Sequence, residues 1–449
     1  MPIFWIVLLV ISSIVVAVLL GIKIYWSMLL AFLPERERAN EVHTIVTRDV
    51  WEIKLFRYRR GRSNGEPVLL VHGAGVNHHN FTEPEGASLI DELVARGLDC
   101  WAIDVRLCRS AKPAFERVRE DATVDDVLLY DLPAAIRYIR KTTSYGRVHW
   151  VGHSQGGMLL YAYLLYWGNA FIASGTTLGS PIGFDGCNLK FKQVPKSVRT
   201  RSREIANVFR GFIPLMFLLK LRSSLFPMNM KNLHPKLGPG SLFHAVEDPV
   251  YGALDQLVGW ARTREWKMVG GQLDVKAGLN TLDAPLFTLF APGDPFVSVP
   301  HAKRFFDALP GGDKKFALLS KANGAMHDYN HCDMAFGIDS PRLVFGPIAD
   351  WIQAHPIAER VRAEEISEDD IPIRLAIDND TRATMLSGEI YAKLHAAEAA
   401  PAVAEKAPVE AGPVPAPVEL TIEPIPELRL PKIERAPAKS KTAPAKAPA

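Results

Sequence analysis

The stretch Val148-His149-Trp150-Val151-Gly152-His153-Ser154-Gln155-Gly156-Gly157, with the apolar run Met158 to Trp167 behind it, constrains this chain more than any other. Arg147 to Val151 reads as a short buried strand and Gly152 to Gly156 as a tight reversal. Met158 to Trp167 reads as a helix that is apolar on every side and therefore packed in a core. Glycines two positions to either side of Ser154 leave room for a strained backbone, so the reversal projects the seryl oxygen from the top of a sheet as an exposed nucleophile. The pentapeptide G-x-S-x-G alone is also found in ordinary loops, and its meaning depends on what joins it.

The flanking pattern alternates strands with helices. His43 to Thr47 and Trp51 to Tyr58 alternate polar and apolar residues across an Arg48-Asp49 turn and predict a hairpin. Val68 to Val71 is a continuous aliphatic strand ending in His72-Gly73-Ala74-Gly75. Ser88 to Arg96 is a helix closed by Gly97, and Asp99 to Ile103 a buried strand ending at Asp104. Val124 to Lys141 has helical periodicity with Pro133 as a kink or local start, closed by Gly146. Phe171 to Leu178, Leu286 to Phe290 and Lys315 to Leu319 supply later strands, Val299 to Leu309 and Pro341 to Gln353 later helices. The fold class is α/β, a mostly parallel central sheet with helices on both faces.

Three segments stand outside that alternation. Met1 to Ile22 has no charged side chain and the apolar character resumes after Lys23, so residues 1–33 are long enough for an N-terminal transmembrane helix. No basic start or A-x-A-like site marks a cleavable signal, so the segment is expected to stay as an anchor. Lys23, Arg36 and Arg38 on its C-terminal side turn the main domain toward the cytoplasm. Residues 182–283 interrupt the core between its first part, 34–181, and its second, 284–356. Basic at first (Lys190, Lys192, Lys196, Arg199, Arg201, Arg203) and then apolar at Phe212 to Leu221 and Leu225 to Met230, they read as a helical cap over the site. Residues 357–449 are charged, then dominated by Ala, Pro, Lys and Glu, and are expected to be a disordered tail.

A serine hydroxyl needs a histidine to take its proton and a carboxylate to hold that imidazole in the right tautomer. Asp294, in Ala291-Pro292-Gly293-Asp294, follows the strand ending at Phe290 and is read as the acid. His331, in Asp328-Tyr329-Asn330-His331-Cys332-Asp333, follows the last strand and is read as the base. His327 lies in the same loop, and spacing does not separate the two. The backbone amides of Gln155, at a helix start, and of Ala74, after the His72-Gly73 strand end, are the expected oxyanion donors. His78 and His79 lack a partner at metal-ligand spacing and read as loop residues. Cys100, Cys108, Cys187 and Cys332 form neither a C-x-x-C pair nor a dense framework. That favours a reducing compartment, and no metal or cofactor is expected.

Gly152-His153-Ser154-Gln155-Gly156, Tyr130-Asp131-Leu132-Pro133-Ala134 and Asn330-His331-Cys332-Asp333 followed by Phe336-Gly337 resemble the acid lipases, the gastric and lysosomal lipases of the α/β-hydrolase superfamily. The resemblance runs from about His43 to Trp351 and is patchy in the cap. It implies Ser154, Asp294 and His331 as the triad, with His331 rather than His327 at the motif position, and the Ala74 and Gln155 amides as the oxyanion hole. Asp104-Val105-Arg106 stands where that family has Asn-Ser-Arg.

The expected function is a membrane-anchored serine esterase or lipase acting through an acyl-enzyme on an apolar ester. Acyl transfer to an alcohol or thiol uses the same triad, and a non-catalytic membrane scaffold would leave Ser154 without a task. A net charge of +3, from 52 basic and 49 acidic residues, gives no electrostatic footprint for nucleic acid.

Overall fold

The computed structural model describes residues 2–61, 65–113, 118–184, 195–219 and 227–366. The expectations for Lys190, Lys192, Leu221, Leu225, Cys187 and the tail from 367 onward fall outside the described residues.

Helix α1 (Pro2–Phe32) leads into the hairpin β1 (Glu41–Val46) and β2 (Glu52–Tyr58), then β3 (Pro67–Val71), the short α2 (His79–Thr82), α3 (Leu89–Ala95) and β4 (Asp99–Asp104). A single turn α4 (Val124–Asp126) passes through a π turn at Val127–Asp131 into α5 (Leu132–Thr143). β5 (Val148–His153), α6 (Gln155–Tyr166) and β6 (Ile172–Leu178) follow. The insertion carries α7 (Lys196–Arg199), α8 (Ser202–Leu218), α9 (Pro239–Ala245), α10 (Tyr251–Thr263), the two-residue strands β7 (Lys267–Met268) and β8 (Leu273–Asp274), and α11 (Val275–Gly278). The core resumes with β9 (Leu286–Phe290), α12 (Val299–Ala308), β10 (Lys314–Leu318), α13 (Asp333–Phe336) and α14 (Gly346–Gln353).

Eight strands form one sheet in the order β1-β2-β4-β3-β5-β6-β9-β10. β2 pairs antiparallel with β1 and β4, and every later pairing is parallel. β3 and β9, buried along their whole length, are near-continuous apolar runs because both faces are covered. Leu69, Val71 and Trp150 point to one face, with Ile136 of α5 and Tyr161 of α6. Val68, Leu70 and Val151 point to the other, with Leu93 of α3 and Ile348 of α14. Truncating a fully buried side chain such as Leu160 to alanine should cost about 2–5 kcal/mol.

Register decides where the chemistry can be. Val71 pairs with Gly152, Gly152 with Thr177, and Leu178 with Leu289, so the C-terminal ends of β3, β5, β6 and β9 lie level and the loops leaving them converge.

Several expectations shift. β5 runs on to His153, because Gly152 and His153 still pair with β6. Pro133 sits in the first turn of α5, and the π turn before it absorbs the missing donor that a proline inside a straight helix would create. α5 is closed by Ser144 in the left-handed region (φ 58°), not by Gly146. Gly146 is needed for another reason: a Cβ there would lie 2.7 Å from the Glu359 side chain. The expected final helix is a π turn at Pro341–Phe345 followed by α14.

The insertion is not wholly helical, since β7 and β8 pair antiparallel within it. The tail does not begin at 357. The Gly146 N–H donates to the Glu359 carbonyl, the Val361 N–H to that of Ser144, and Ile357 and Ile366 are buried. α1 touches the rest of the chain near its C-terminal end, where Leu29 is buried and Trp26 half-buried, while Phe4 to Leu8 and Val10 to Tyr25 stand exposed.

Candidate active site

β5 ends at His153, and Ser154 takes φ 54°, ψ −116°, a conformation that a non-glycine residue holds only when its surroundings impose it. The imposition is visible. The Ser154 N–H donates to the Leu178 carbonyl at 2.8 Å, and α6 starts at the next residue. A Cβ on Gly156 would stand 1.9 Å from the Val71 carbonyl oxygen, and one on Gly152 would stand 2.4 Å from the Gly156 carbonyl. Both glycines therefore let α6 begin directly against the ends of β3 and β5. Gly73, after β3, is also tightly packed: its Cβ position is 3.0 Å from Ser154 Cβ. That brings the Ala74 loop beside the serine.

The amides of Gln155 and Ala74 donate to no other described residue. Gln155 is at the N-terminus of α6, where the helix dipole favours an anion. Both residues line a cleft whose other wall is Glu247 to Val250 and, from α10, Ala253, Leu254 and Leu257. The far end of the Ala74 loop is fixed by Asp104 at the end of β4, which accepts from the His78 N–H at 2.8 Å and lies 3.0 Å from its Nδ1.

Asp294 is buried in the loop after β9. Gly293 makes that loop possible by donating to the Tyr329 carbonyl at 3.0 Å, with no space for a Cβ. One Asp294 oxygen accepts from the Phe296 N–H at 2.8 Å, and the other lies 2.8 Å from His331 Nδ1. This bond assigns the imidazole proton to Nδ1 and leaves Nε2 without one. Phe296 packs edge-on against the His331 ring at 4.7 Å, and the His153 ring lies 4.9 Å away on another side.

Gly179, directly after β6, joins this pair to the serine. With φ +55°, its Cβ position is 2.9 Å from Asp294 Oδ2 and 3.0 Å from His331 Nδ1, while its neighbour Leu178 accepts from Ser154. His327 is half-buried in the same loop as His331 and has no bond to Asp294 among the described residues.

Other groups hold this arrangement and left little trace in the sequence. Asp333 accepts from the Asn229 and Asn330 N–H groups and from the Asn232 side chain, which ties the His331 loop to the insertion. Burial nevertheless pushes its pKa up to about 6. His153 Nε2 lies 3.2 Å from the His331 carbonyl, and burial, with His331 next to it, pushes its pKa down to about 3. Its ring is thus a neutral donor that braces the His331 backbone.

His78, at the start of α2, and His79 are not the loop residues the sequence suggested. Both are buried, His79 within α2, and their Nε2 atoms lie 3.0 Å from Glu37 and 3.1 Å from Glu35. Burial works against charge on His78, but Asp104 and Glu37 outweigh it and raise its pKa to about 10. His72, Asp104 and Cys108 bring possible metal-ligand atoms within 4.8 Å of one another. However, both Asp104 oxygens are already taken, by His78 and by the Ser110 hydroxyl.

A family profile described as alpha/beta hydrolase fold matches residues 66–214. Lysosomal acid lipase/cholesteryl ester hydrolase of Homo sapiens is 32% identical over 129 residues, 26% of this chain and 32% of that protein. Gastric triacylglycerol lipase of Mus musculus is 31% identical over 129 residues, 26% and 33% respectively. Lipase 1 of Drosophila melanogaster is 29% identical over 123 residues, 26% and 28%. The matched stretch spans about a third of the length of these relatives. A thermophilic esterase from Thermogutta terrifontis superposes with a TM-score of 0.47 at 20% identity, over 70% of this chain and 100% of that one. The chain has an α/β-hydrolase fold and resembles the acid lipases.

Proposed function

We propose that this chain is a membrane-anchored serine hydrolase that cleaves an apolar carboxylic ester through an acyl-enzyme on Ser154. The observation that carries the reading is the buried Asp294–His331 bond of 2.8 Å, held against Gly179 one residue beyond the carbonyl that fixes Ser154. His331 Nε2 takes the Ser154 proton as the hydroxyl attacks the ester carbonyl. The Ala74 and Gln155 amides donate to the oxyanion, and His331 returns the proton to the departing alcohol. Water, activated by the same imidazole, then releases the acid.

The apolar substrate class is supported by the cleft, whose cap wall is largely Val250, Ala253, Leu254 and Leu257. It is also supported by the names of the relatives, which are lipases and a cholesteryl ester hydrolase. We read residues 1–33 as the anchor, 34–181 and 284–356 as the two parts of the core and 182–283 as the cap. Lys23, Arg36 and Arg38 set the main domain on the cytoplasmic side. One described helix, Phe4–Phe32, is long and apolar enough to cross a bilayer.

The test is hydrolysis by the full-length protein of p-nitrophenyl esters of increasing acyl length. Activity should rise from acetyl toward longer chains, and Ser154→Ala should remove it by at least about 10³-fold. Retention of wild-type rates by a folded Ser154→Ala protein contradicts the reading. Adding alcohol or thiol acceptors and analysing the products separates hydrolysis from acyl transfer.

A further inference from the structure

α8 has two unlike faces. Inward, Ala206, Ile213 and Met216 are buried, Ile213 in a small cluster with Leu242 of α9 and Phe336 of α13. Outward, Ile205, Val208, Phe212, Leu215 and Leu219 are exposed, Val208 at 70% and Phe212 at 51%. Successive steps of three and four residues put them on one stripe of the helix. Such a contiguous apolar row on a surface marks a contact with something else.

The other structure at this position is α1. The Tyr25 hydroxyl donates to the Gly211 carbonyl at 2.5 Å, a Cβ on Gly211 would lie 3.4 Å from the Trp26 ring, and Trp26 packs on Phe243 of α9 at 5.8 Å. Gly211 borders the stripe. About 20 residues at about 1.5 Å each cross the hydrocarbon core. A span that enters near Phe4 therefore leaves it near Lys23, where a snorkelling ammonium and the Tyr25-Trp26 pair belong at headgroup level. Because α8 meets α1 at those two aromatics, α8 lies at the same depth.

Exposed Lys196 and Arg201 precede the stripe, the charge that an interfacial helix offers to anionic headgroups. α8 also reaches the cleft: the Ser202 hydroxyl donates to the Pro249 carbonyl at 3.2 Å, and Arg210 pairs with Asp248.

We propose that α8 is a second membrane contact, an interfacial helix whose stripe from Ile205 to Leu219 lies in the leaflet that α1 leaves. It turns the cleft toward that bilayer, so the ester comes from the membrane in which the protein is anchored. The inference rests on the membrane-anchored reading above.

The test uses the full-length protein reconstituted in vesicles of phosphatidylcholine and phosphatidylglycerol, with an environment-sensitive NBD label on Val208→Cys and quenchers carried on the lipid acyl chains. A second label on Lys141→Cys is the control. Lys141 is exposed near the end of α5, which runs antiparallel to the strands and so ends on the side of the sheet away from the cap. The unsubstituted protein gives the labelling blank. The label at 208 should be quenched at least threefold more than that at 141. A dehydrated label that lipid does not quench means that protein, such as a second copy, covers the stripe, and a hydrated label means that nothing does; either overturns the proposal.

A second arm replaces Val208 and Phe212 together by glutamate. The rate on a vesicle-embedded long-chain ester should fall at least fivefold, with hydrolysis of a water-soluble short ester unchanged; equal rates on both substrates contradict the proposal. Failure of the unsubstituted protein to float with vesicles sinks the anchor reading itself, and absence of short-ester hydrolysis sinks the catalytic reading. Quenching is measured independently of both.

Discussion

His331 Nδ1 and Asp294 Oδ2 lie 2.8 Å apart, and a methyl group grown on Gly179 would sit 3.0 Å from the first and 2.9 Å from the second. The pair is thus packed against a bare stretch of backbone at the end of β6, and that backbone also accepts from the Ser154 amide. Gly179→Ala should push the imidazole or the carboxylate out of line and add strain at φ +55°. Ester hydrolysis should fall at least about 100-fold, since misplacement by about 1 Å is that costly. Steady-state kinetics beside a thermal melt separates this loss from unfolding.

Asp294→Asn keeps the shape of the loop, including an acceptor for the Phe296 N–H, but stabilises the wrong imidazole tautomer. A fall in kcat of about 10³–10⁴-fold is expected, with KM within a few-fold of the wild type. A loss confined to KM would argue that Asp294 shapes the substrate cleft instead.

The His78–Asp104 pair predicts a pH-dependent stability. The folded pKa of His78 is raised to about 10, above the ordinary value near 6.5. Its contribution is therefore complete below about 6.5 and is lost as pH rises through the folded value. His78→Asn should lower the melting temperature most near pH 6, and the gap to the wild type should narrow steadily toward pH 10. Melts in matched buffers across that range check the sign, and a gap that widens with pH contradicts it.

Arg106 is buried between two carboxylates, 2.7 Å from Asp49 and 2.7 Å from Asp131. Removing it alone, as in Arg106→Met, takes this cation away from both carboxylates and should destabilise the fold by about 3–5 kcal/mol. Replacing both aspartates by asparagine in the same chain should restore much of that. Urea denaturation of the single and triple variants measures the coupling.

The sheet was readable because strands such as Val68 to Val71 and Leu286 to Phe290 are apolar runs with turn residues after them, and because Ser154 sits where a strand becomes a helix. Asp294 stood out as a candidate because it directly follows a strand, whereas His331 shares its loop with His327 and was singled out only by the motif Asn330-His331-Cys332-Asp333. The supports were hidden for physical reasons. Gly179 matters through the groups its missing side chain lets in, and nothing local announces that. His78 and His79 find Glu37 and Glu35 about forty residues earlier, in a flank whose alternating charges look like solvated surface until the chain folds back. The π turn before Pro133 follows from the need to dispose of one missing donor, which periodicity cannot reveal. β7 and β8 are two residues each, too short to carry a pattern.

The central claim is that Ser154 is a nucleophile activated by His331, and covalent capture tests it most directly. Full-length protein treated with a fluorophosphonate should gain one adduct in the intact mass, mapped to the peptide containing Ser154. Ser154→Ala should gain none, and His331→Ala should react at least about 10³-fold more slowly. A folded wild-type protein that gains no adduct, or one whose adduct survives in Ser154→Ala, would contradict the account.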